Sequence, residues 1–317
     1  MDLSLIVPVL NEDESLPELT AWIEKVCGSA FLTFEIIFID DGSSDSSWKI
    51  IDSLSREKDF VKGVRFRRNY GKAAALHTGF HEASGEVVIT LDSDLQDSPD
   101  EIPGLFRMIK EDGYDLVSGW KKKRYDPFIK RITSKFYNRS ARLSSGIKLH
   151  DFNCGLKAYK NEVVKSIEVF GEMHRYIPML AKEAGFTKIG EKVVQHRARK
   201  YGVTKYGFDR FIKGYLDLLT IGFITRFGKN PMHLFGSLGT LMFLIGVVMA
   251  GFLGGRKLWY VSHNLRAPLV TDSAFFYIAL TVMFIGTLLF LTGFLGELIN
   301  RNSSERNNYL IREKVNL

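Results

Sequence analysis

A chain of 317 residues that is 45% apolar and 25% charged can bury a sizeable core and is too apolar to be disordered. Its net charge of +7 admits nucleic acid, an anionic membrane surface or a phosphate-bearing ligand, but no nucleic-acid module with interleaved aromatics is present. Only Cys27 and Cys154 occur, far apart and without metal-type spacing, which excludes a disulfide framework and fits a reducing compartment.

The β pattern starts at Leu3 with no signal peptide before it, so the N-terminal domain is expected to stay on the side where it is made. Leu3 to Val9 predicts a strand, followed by Asn11, Glu12, Asp13 and Glu14 and an amphipathic helix from Leu16 to Val26. Glu35 to Ile39 repeats the arrangement. Behind it come Asp40, Asp41, Gly42, Ser43, Ser44 and Asp45, then a helix over Ser46 to Arg56 that Ser44 or Asp45 could cap. Gly42 lets the backbone turn beside a ligand, and the carboxylates can accept from a base N–H or from ribose hydroxyls. A third unit runs from Lys62 through the Arg67–Lys72 loop to an Ala-rich helix over Ala73 to Ala83.

The fourth unit carries the most chemistry. Val87 to Leu91 reads as a strand buried on both faces, and Asp92, Asp94, Gln96 and Asp97 follow at its carboxyl end, the edge where open α/β sheets bind ligands. On a continuing strand Asp92 and Asp94 would share one face. Two hard oxygen ligands on one side suit Mg²⁺ or Mn²⁺, with a substrate diphosphate supplying further oxygens. An isolated Asp-x-Asp is equally the chemistry of a solvated turn leading into the helix that Pro99 starts.

Leu116 to Gly119 predicts a fifth strand, and the alternation of strands with helices implies a largely parallel sheet covered on both sides. A basic amphipathic helix is expected over Asp126 to Ser145. The Asp151–Tyr159 stretch reads as a loop feeding a strand, a helix follows Pro178, and Lys188 to Val194 predicts an edge strand. The segment Gln195 to Tyr206 is basic and Gly-interrupted: either a solvated loop or a grip for phosphate oxygens. Phe208 to Phe227 has helical amphipathic spacing suited to a membrane interface or to the sheet's surface.

Leu234 to Gly255 and Ser273 to Gly296 contain no charged residue. They would span about 33 and 36 Å as helices, against a hydrocarbon core of about 30 Å, and predict a transmembrane hairpin. Gly251 and Gly255 have a spacing that could join helices, which leaves a homo-oligomer through these spans open. An even number of crossings puts the N-terminal domain and the C-terminal tail on one side. The basic residues of the flanks differ too little to orient them, so the reducing-type thiols and absent leader argue for the cytoplasmic side, with Arg256 to Asp272 outside.

The stretches VPVLNE (Val7 to Glu12), IDDGSSD (Ile39 to Asp45), RNYGKAAAL (Arg68 to Leu76), LDSDLQDSP (Leu91 to Pro99), DFNCGLKAY (Asp151 to Tyr159), HRYIP (His174 to Pro178) and HRARKYGVTKY (His196 to Tyr206) occur in one order. Together with the two apolar spans, they make the chain resemble the family 2 glycosyltransferases of GT-A fold, in particular the polyprenyl-phosphate sugar transferases. The resemblance implies α/β architecture: a Rossmann-like, mostly parallel sheet domain over 1–207, a juxtamembrane amphipathic helix over 208–231, two transmembrane helices over 232–299 and a cytoplasmic tail over 300–317.

That resemblance implies roles for single residues. Pro8, Asn11, Glu12 and Asp41 would hold the nucleoside, Lys72 and Asp92 the donor, and Asp92, Asp94 and Gln96 the metal, Mg²⁺ or Mn²⁺. Asp94 and Asp151 would act at the reaction. Arg131, Arg197, Arg199 and Lys205 are candidates for the lipid phosphate. Asp97 departs from the family, where many members have His, and Ser93 replaces a frequent Ala. The Gln-x-x-Arg-Trp motif of processive synthases is absent after Gln195, so one sugar per encounter is expected. The implied reaction is inverting transfer from a nucleotide sugar, first UDP-glucose, to undecaprenyl or dolichyl phosphate at the inner, plasma membrane. GDP-mannose, UDP-N-acetylhexosamine, an amino-sugar donor, a non-lipid acceptor and a catalytically silent scaffold are the alternatives.

Overall fold

The computed structural model describes residues 1–122, 138, 141–142, 145–171, 173–197, 231–266, 268–301 and 311–316. Most of the helix expected over 126–145, the amphipathic helix over 208–230, and Arg131, Arg199 and Lys205 lie outside these residues. The chain divides into two compact units, Met1–Ile221 with Arg306–Leu317, and Gly222–Glu305.

In the first unit, successive parallel strands β1 (Leu3–Val9), β2 (Phe34–Asp40), β3 (Val61–Phe66) and β4 (Val87–Thr90) alternate with helices α1 (Leu16–Ser29), α2 (Ser47–Glu57) and α3 (Lys72–Glu82). These strands are apolar and β-branched because both sheet faces are covered: Leu5, Ile6, Ile36, Ile37, Val88 and Ile89 are all fully buried. A polar group inside that core needs partners. Glu35 has them: its Oε1 accepts Ser4 Oγ at 2.5 Å and Ser84 Oγ at 2.7 Å, and Lys62 Nζ stands 2.8 Å from Oε2. The N-cap of α2 is Ser46, not Ser44 or Asp45, but Asp45 Oδ1 accepts the N–H of Ser47, the first helical residue, at 2.9 Å.

The parallel pattern breaks after β4. The helix α4 (Ile102–Lys110) leads to β5 (Leu116–Trp120), but β5 does not pair with β4. Between them lies β6 (Lys157–Lys160), antiparallel to both. After β6 come α5 (Asn161–Ser166), α6 (Ile177–Glu183) and the expected edge strand β7 (Ile189–Val193), parallel to β5. The insertion of β6 matters because it carries the Asp151–Gly155 loop to the end of β4.

The other edge is a correction. The segment read as a tail over 300–317 contains β8 (Ile311–Val315), antiparallel to β3, so the sheet is eight-stranded in the order β7-β5-β6-β4-β1-β2-β3-β8. Lys314 reaches Glu82 at 2.5 Å and Asn316 Nδ2 donates to Ser55 O at 2.7 Å. The backbone donors and acceptors of β3 that would otherwise face solvent are thereby paired.

The second unit is a helical hairpin of α7 (Pro231–Ser262) and α8 (Ala274–Arg301). Met232–Ser262 and Ala274–Gly296 are long and apolar enough to cross a membrane, with mean hydropathy of 2.0 and 2.3. The helices meet backbone to backbone. A Cβ on Gly239 would stand 2.5 Å from the Gly286 carbonyl oxygen, and one on Gly286 would stand 2.7 Å from that of Gly239. The expected small-residue pair lies elsewhere: neither Gly251 nor Gly255 has a neighbour within 4 Å, so the hairpin contact does not use it.

Candidate active site

The loops at the carboxyl ends of β1, β2 and β4 converge, as the strand order requires. Asn11, at φ +54°, donates its N–H to Ser43 Oγ at 3.0 Å, and its Oδ1 accepts the Ser44 N–H at 2.9 Å. Glu12 donates its N–H to Ser47 Oγ at 3.0 Å. The two loops thus form one polar shelf beside Pro8, on β1, and the positive φ is tolerated because Asn bonds locally.

Asp41 is buried, and its carboxylate accepts the N–H groups of Tyr70 at 2.7 Å and Gly71 at 2.9 Å. Burial pushes its pKa up against those two hydrogen bonds. It therefore holds the 70–71 loop and keeps only its remaining lone pairs for a nucleoside. Gly42, at φ +75°, is required by the same packing: a Cβ there would lie 2.6 Å from the Arg68 carbonyl carbon.

The strand β4 ends at Thr90, two residues before Asp92, so the acidic motif is a turn and not an extended strand, with Leu95 at φ +60°. The alternation nevertheless survives. Asp92, Asp94 and Gln96 are half-exposed, while Ser93, Leu95 and Asp97 are buried. Asp97, expected in the crevice, points into the fold, with Lys121 Nζ 2.6 Å from its Oδ1, and the segment bridges to His196. Period-two geometry explains the correction: Asp97 falls on the inward side of the pattern that presents Asp92 and Asp94.

Asp92 forms an ion pair with Lys72, both side chains about one-third exposed (32% and 34%). Desolvation would raise its pKa, but the charges of Lys72, Lys121 and Lys157 outweigh it and hold the carboxyl at about 2. Gly155 lies directly behind this carboxylate: a Cβ there would stand 2.4 Å from Asp92 Oδ2. Asp151 is buried in the same loop, its Oδ1 accepting the Asn153 N–H at 3.0 Å and its backbone carbonyl accepting Ser118 Oγ at 3.1 Å. β6 thus brings together, beside β4, residues more than fifty positions apart in sequence.

Three residues without an assigned role join this site. Lys157, His174 and Arg175 line a crevice with Lys72 and Gly155. Burial, followed by the nearby charges of Lys72, Arg175 and Lys157, pushes the His174 pKa well below its usual value. Lys157 sits in DFNCGLKAY and the other two in HRYIP, but only the pairing of β6 with β4 reveals that the motifs share a wall. Arg197 is placed differently from its expected role: its guanidinium lies 4.3 Å from the Trp22 ring and 3.7 Å from Asp100, and its N–H donates to Gln96 O at 2.9 Å.

Among the described residues no cluster of three His, Cys, Asp or Glu could by itself hold a metal. What this chain offers is the pair of half-exposed carboxylates of Asp92 and Asp94, with Asp94 Oδ1 accepting the Gln96 N–H at 3.2 Å. Two carboxylates, an all-oxygen donor set, fit a divalent ion that keeps waters and takes other ligands from a diphosphate.

The Glycosyl transferase family 2 profile matches residues 4–168, the span that contains the loops after β1, β2 and β4 and the Asp151–Lys157 segment, with HRYIP and Arg197 beyond it. The chain belongs to glycosyl transferase family 2. Two relatives extend the match beyond the family 2 domain. A dodecaprenyl-phosphate galacturonate synthase from Rhizobium johnstonii is 32% identical over 99% of this chain and 93% of its own length. An undecaprenyl-phosphate 4-deoxy-4-formamido-L-arabinose transferase from Proteus mirabilis is 34% identical over 98% of this chain and 93% of its own. Among solved structures, glucosyl-3-phosphoglycerate synthase from Mycobacterium tuberculosis shares the fold with this family 2 enzyme at a TM-score of 0.55 and 18% identity, covering 71% of this chain and 79% of that one. That synthase has also been solved with Mn²⁺ and UDP-glucose, at a TM-score of 0.54 and 17% identity, over 71% of this chain and 78% of its own.

Proposed function

We propose that this family 2 glycosyltransferase moves one sugar from a nucleotide sugar to a polyprenyl phosphate at the cytoplasmic face of the membrane. The observation that carries the reading is the Asp92–Asp94 lip at the end of β4, backed by Lys72 and Gly155, in a chain that matches polyprenyl-phosphate transferases along nearly its whole length. Those relatives are named for galacturonate and 4-deoxy-4-formamido-L-arabinose, which displaces the glucose expectation from first place and leaves UDP-glucose as one donor among several.

Asp92 and Asp94 would hold Mg²⁺ or Mn²⁺ with Gln96 nearby; when bound, the ion neutralises the departing nucleoside diphosphate. Pro8, Asn11 and Glu12 would seat the nucleoside on the shelf between β1 and β2, with Asp41 stiffening its far side. Lys72 would move from Asp92 toward the donor phosphates as they arrive. The acceptor's phosphate monoester, with a second pKa of about 6, is mostly dianionic at neutral pH and attacks the anomeric carbon without a strong base. Asp151, braced by the Asn153 N–H, would then orient the sugar or acceptor, and inversion follows from attack opposite the leaving group. Arg131, Arg197, Arg199 and Lys205 remain candidates for the acceptor phosphate, with Arg197 required to leave Trp22 and Asp100.

The hairpin would anchor the enzyme in the bilayer. Because β8 belongs to the same sheet as β1 to β4, the chain that leaves the domain before α7 returns to it after α8. An even number of crossings satisfies this and keeps the domain and both termini on one side of the membrane, which we take to be the cytoplasmic side. The test is a donor screen on membranes containing the chain, with undecaprenyl phosphate and radiolabelled UDP-galacturonate, UDP-4-deoxy-4-formamido-L-arabinose, UDP-glucose, GDP-mannose and UDP-N-acetylglucosamine, with Mg²⁺, Mn²⁺ or EDTA. One donor should label the organic phase, and EDTA should abolish it; no organic-phase label from any donor would refute the reading.

A further inference from the structure

Beside Asp92 is a narrow crevice whose walls include Lys72, Asn153, Gly155, Lys157, His174 and Arg175. Its charge is unusual for so enclosed a space. Lys157 is only 3% exposed and forms no ion pair among the described residues; its one hydrogen-bond acceptor there is the Cys154 carbonyl oxygen. Two of its three ammonium donors are left over. Arg175 is half-buried and likewise has no ion-pair partner among the described residues. Lys72 is already engaged by Asp92. A buried ammonium without a carboxylate partner is costly, and an arriving anion would offset that cost.

The size of the space narrows the ligand. With room for about one water molecule, the space can take no more than the end of a side group of a ligand seated at Asp92. The fork of Arg175 and the free donors of Lys157 match a group with two anionic oxygens. A phosphate at the end of a prenyl chain would have to carry its tether down to a lysine that is almost fully buried. A carboxylate on a sugar ring at Asp92 needs to cross only the crevice wall.

The geometry points to Lys157 and Arg175 as specificity residues that read a carboxylate on the transferred sugar, making a nucleoside-diphosphate uronate the donor class. This rests on the sugar-transfer reading above. The test is binding of UDP-galacturonate, UDP-galactose and UDP to the full-length protein in detergent, the two sugars differing only at C6. The uronate should bind about tenfold or more tighter than UDP-galactose. K157M and R175Q should each remove that preference and leave UDP and UDP-galactose unchanged. R175Q alters a half-buried side chain, so it serves even where K157M fails to fold.

Equal affinity for the two sugars in the wild type would overturn the assignment and leave sugar transfer standing. So would an R175Q protein that loses UDP and both sugars alike, since that marks a diphosphate contact. An R175Q protein with unchanged donor binding and a raised KM for undecaprenyl phosphate would make the lipid phosphate the occupant and also overturn it. Binding of none of the three nucleotides would remove the transfer reading itself, and the uronate with it.

Discussion

In the sheet domain Leu5, Ile37 and Val88 are fully buried, whereas in the hairpin Val248, Phe252 and Phe284 are 69%, 70% and 66% exposed. Inside the domain buried carboxylates are matched: Glu35 with Ser4, Lys62 and Ser84, Asp97 with Lys121. The hairpin packs on bare glycine backbone and turns large side chains outward. The side chains of the two regions are sorted in opposite directions, as the proposed membrane anchor requires: water around one region and hydrocarbon around the other. It follows that changes in either region should be separable in their effects.

The largest separation is expected at the site. D94N removes a hard anionic ligand from a half-exposed position and should lower kcat by about 10²- to 10³-fold, while thermal unfolding of the domain stays near wild type. G155A should lower kcat by about ten- to a hundredfold, because its methyl group needs the space that the Asp92 carboxylate occupies. A steady-state assay with D94N and G155A beside a melting curve checks both. If G155A kept full activity, Asp92 would not need its present position.

In the hairpin, G286V should lower the melting temperature of the detergent-solubilised protein, since the new side chain meets the Gly239 carbonyl oxygen. The nucleotide Kd should stay within about twofold, as the site lies in the other unit. Deleting residues 311–317 would probe the domain's edge: loss of β8 and the Asn316 contacts should lower Tm by about 5 °C and leave the metal requirement intact. The smallest effect is expected at the thiols. Burial pushes Cys27 and Cys154 up to about 12, so almost no thiolate exists at pH 8. Iodoacetamide at that pH should label neither in the folded protein, and mass spectrometry would detect either adduct.

The parallel half of the fold was legible because β1 to β4 are short apolar runs punctuated by acidic loops, a pattern that local spacing carries. β8 was not, and neither was the pairing of β6, although a strand was expected after the Asp151 loop; the reason is shared. Both pair antiparallel through long sequence separations, and nothing in KAYK or IREKV specifies a partner. The site was legible to the same depth. Asp92 and Asp94 follow from a strand end, but the cationic wall depends on β6 lying against β4. Asp97 illustrates the limit from the other side: composition grouped it with the other carboxylates, and a one-residue step in the alternation turned it inward.

The central claim is that the carboxylates after β4 serve sugar transfer to a membrane lipid. Its most direct measurement is the anomeric configuration and partitioning of the product formed from a radiolabelled nucleotide sugar and undecaprenyl phosphate, with wild type and D94N in parallel. The account predicts one sugar per lipid in the organic phase, inverted at the anomeric carbon, and almost none with D94N. Retained configuration, label confined to the aqueous phase, or equal yield from D94N would contradict it.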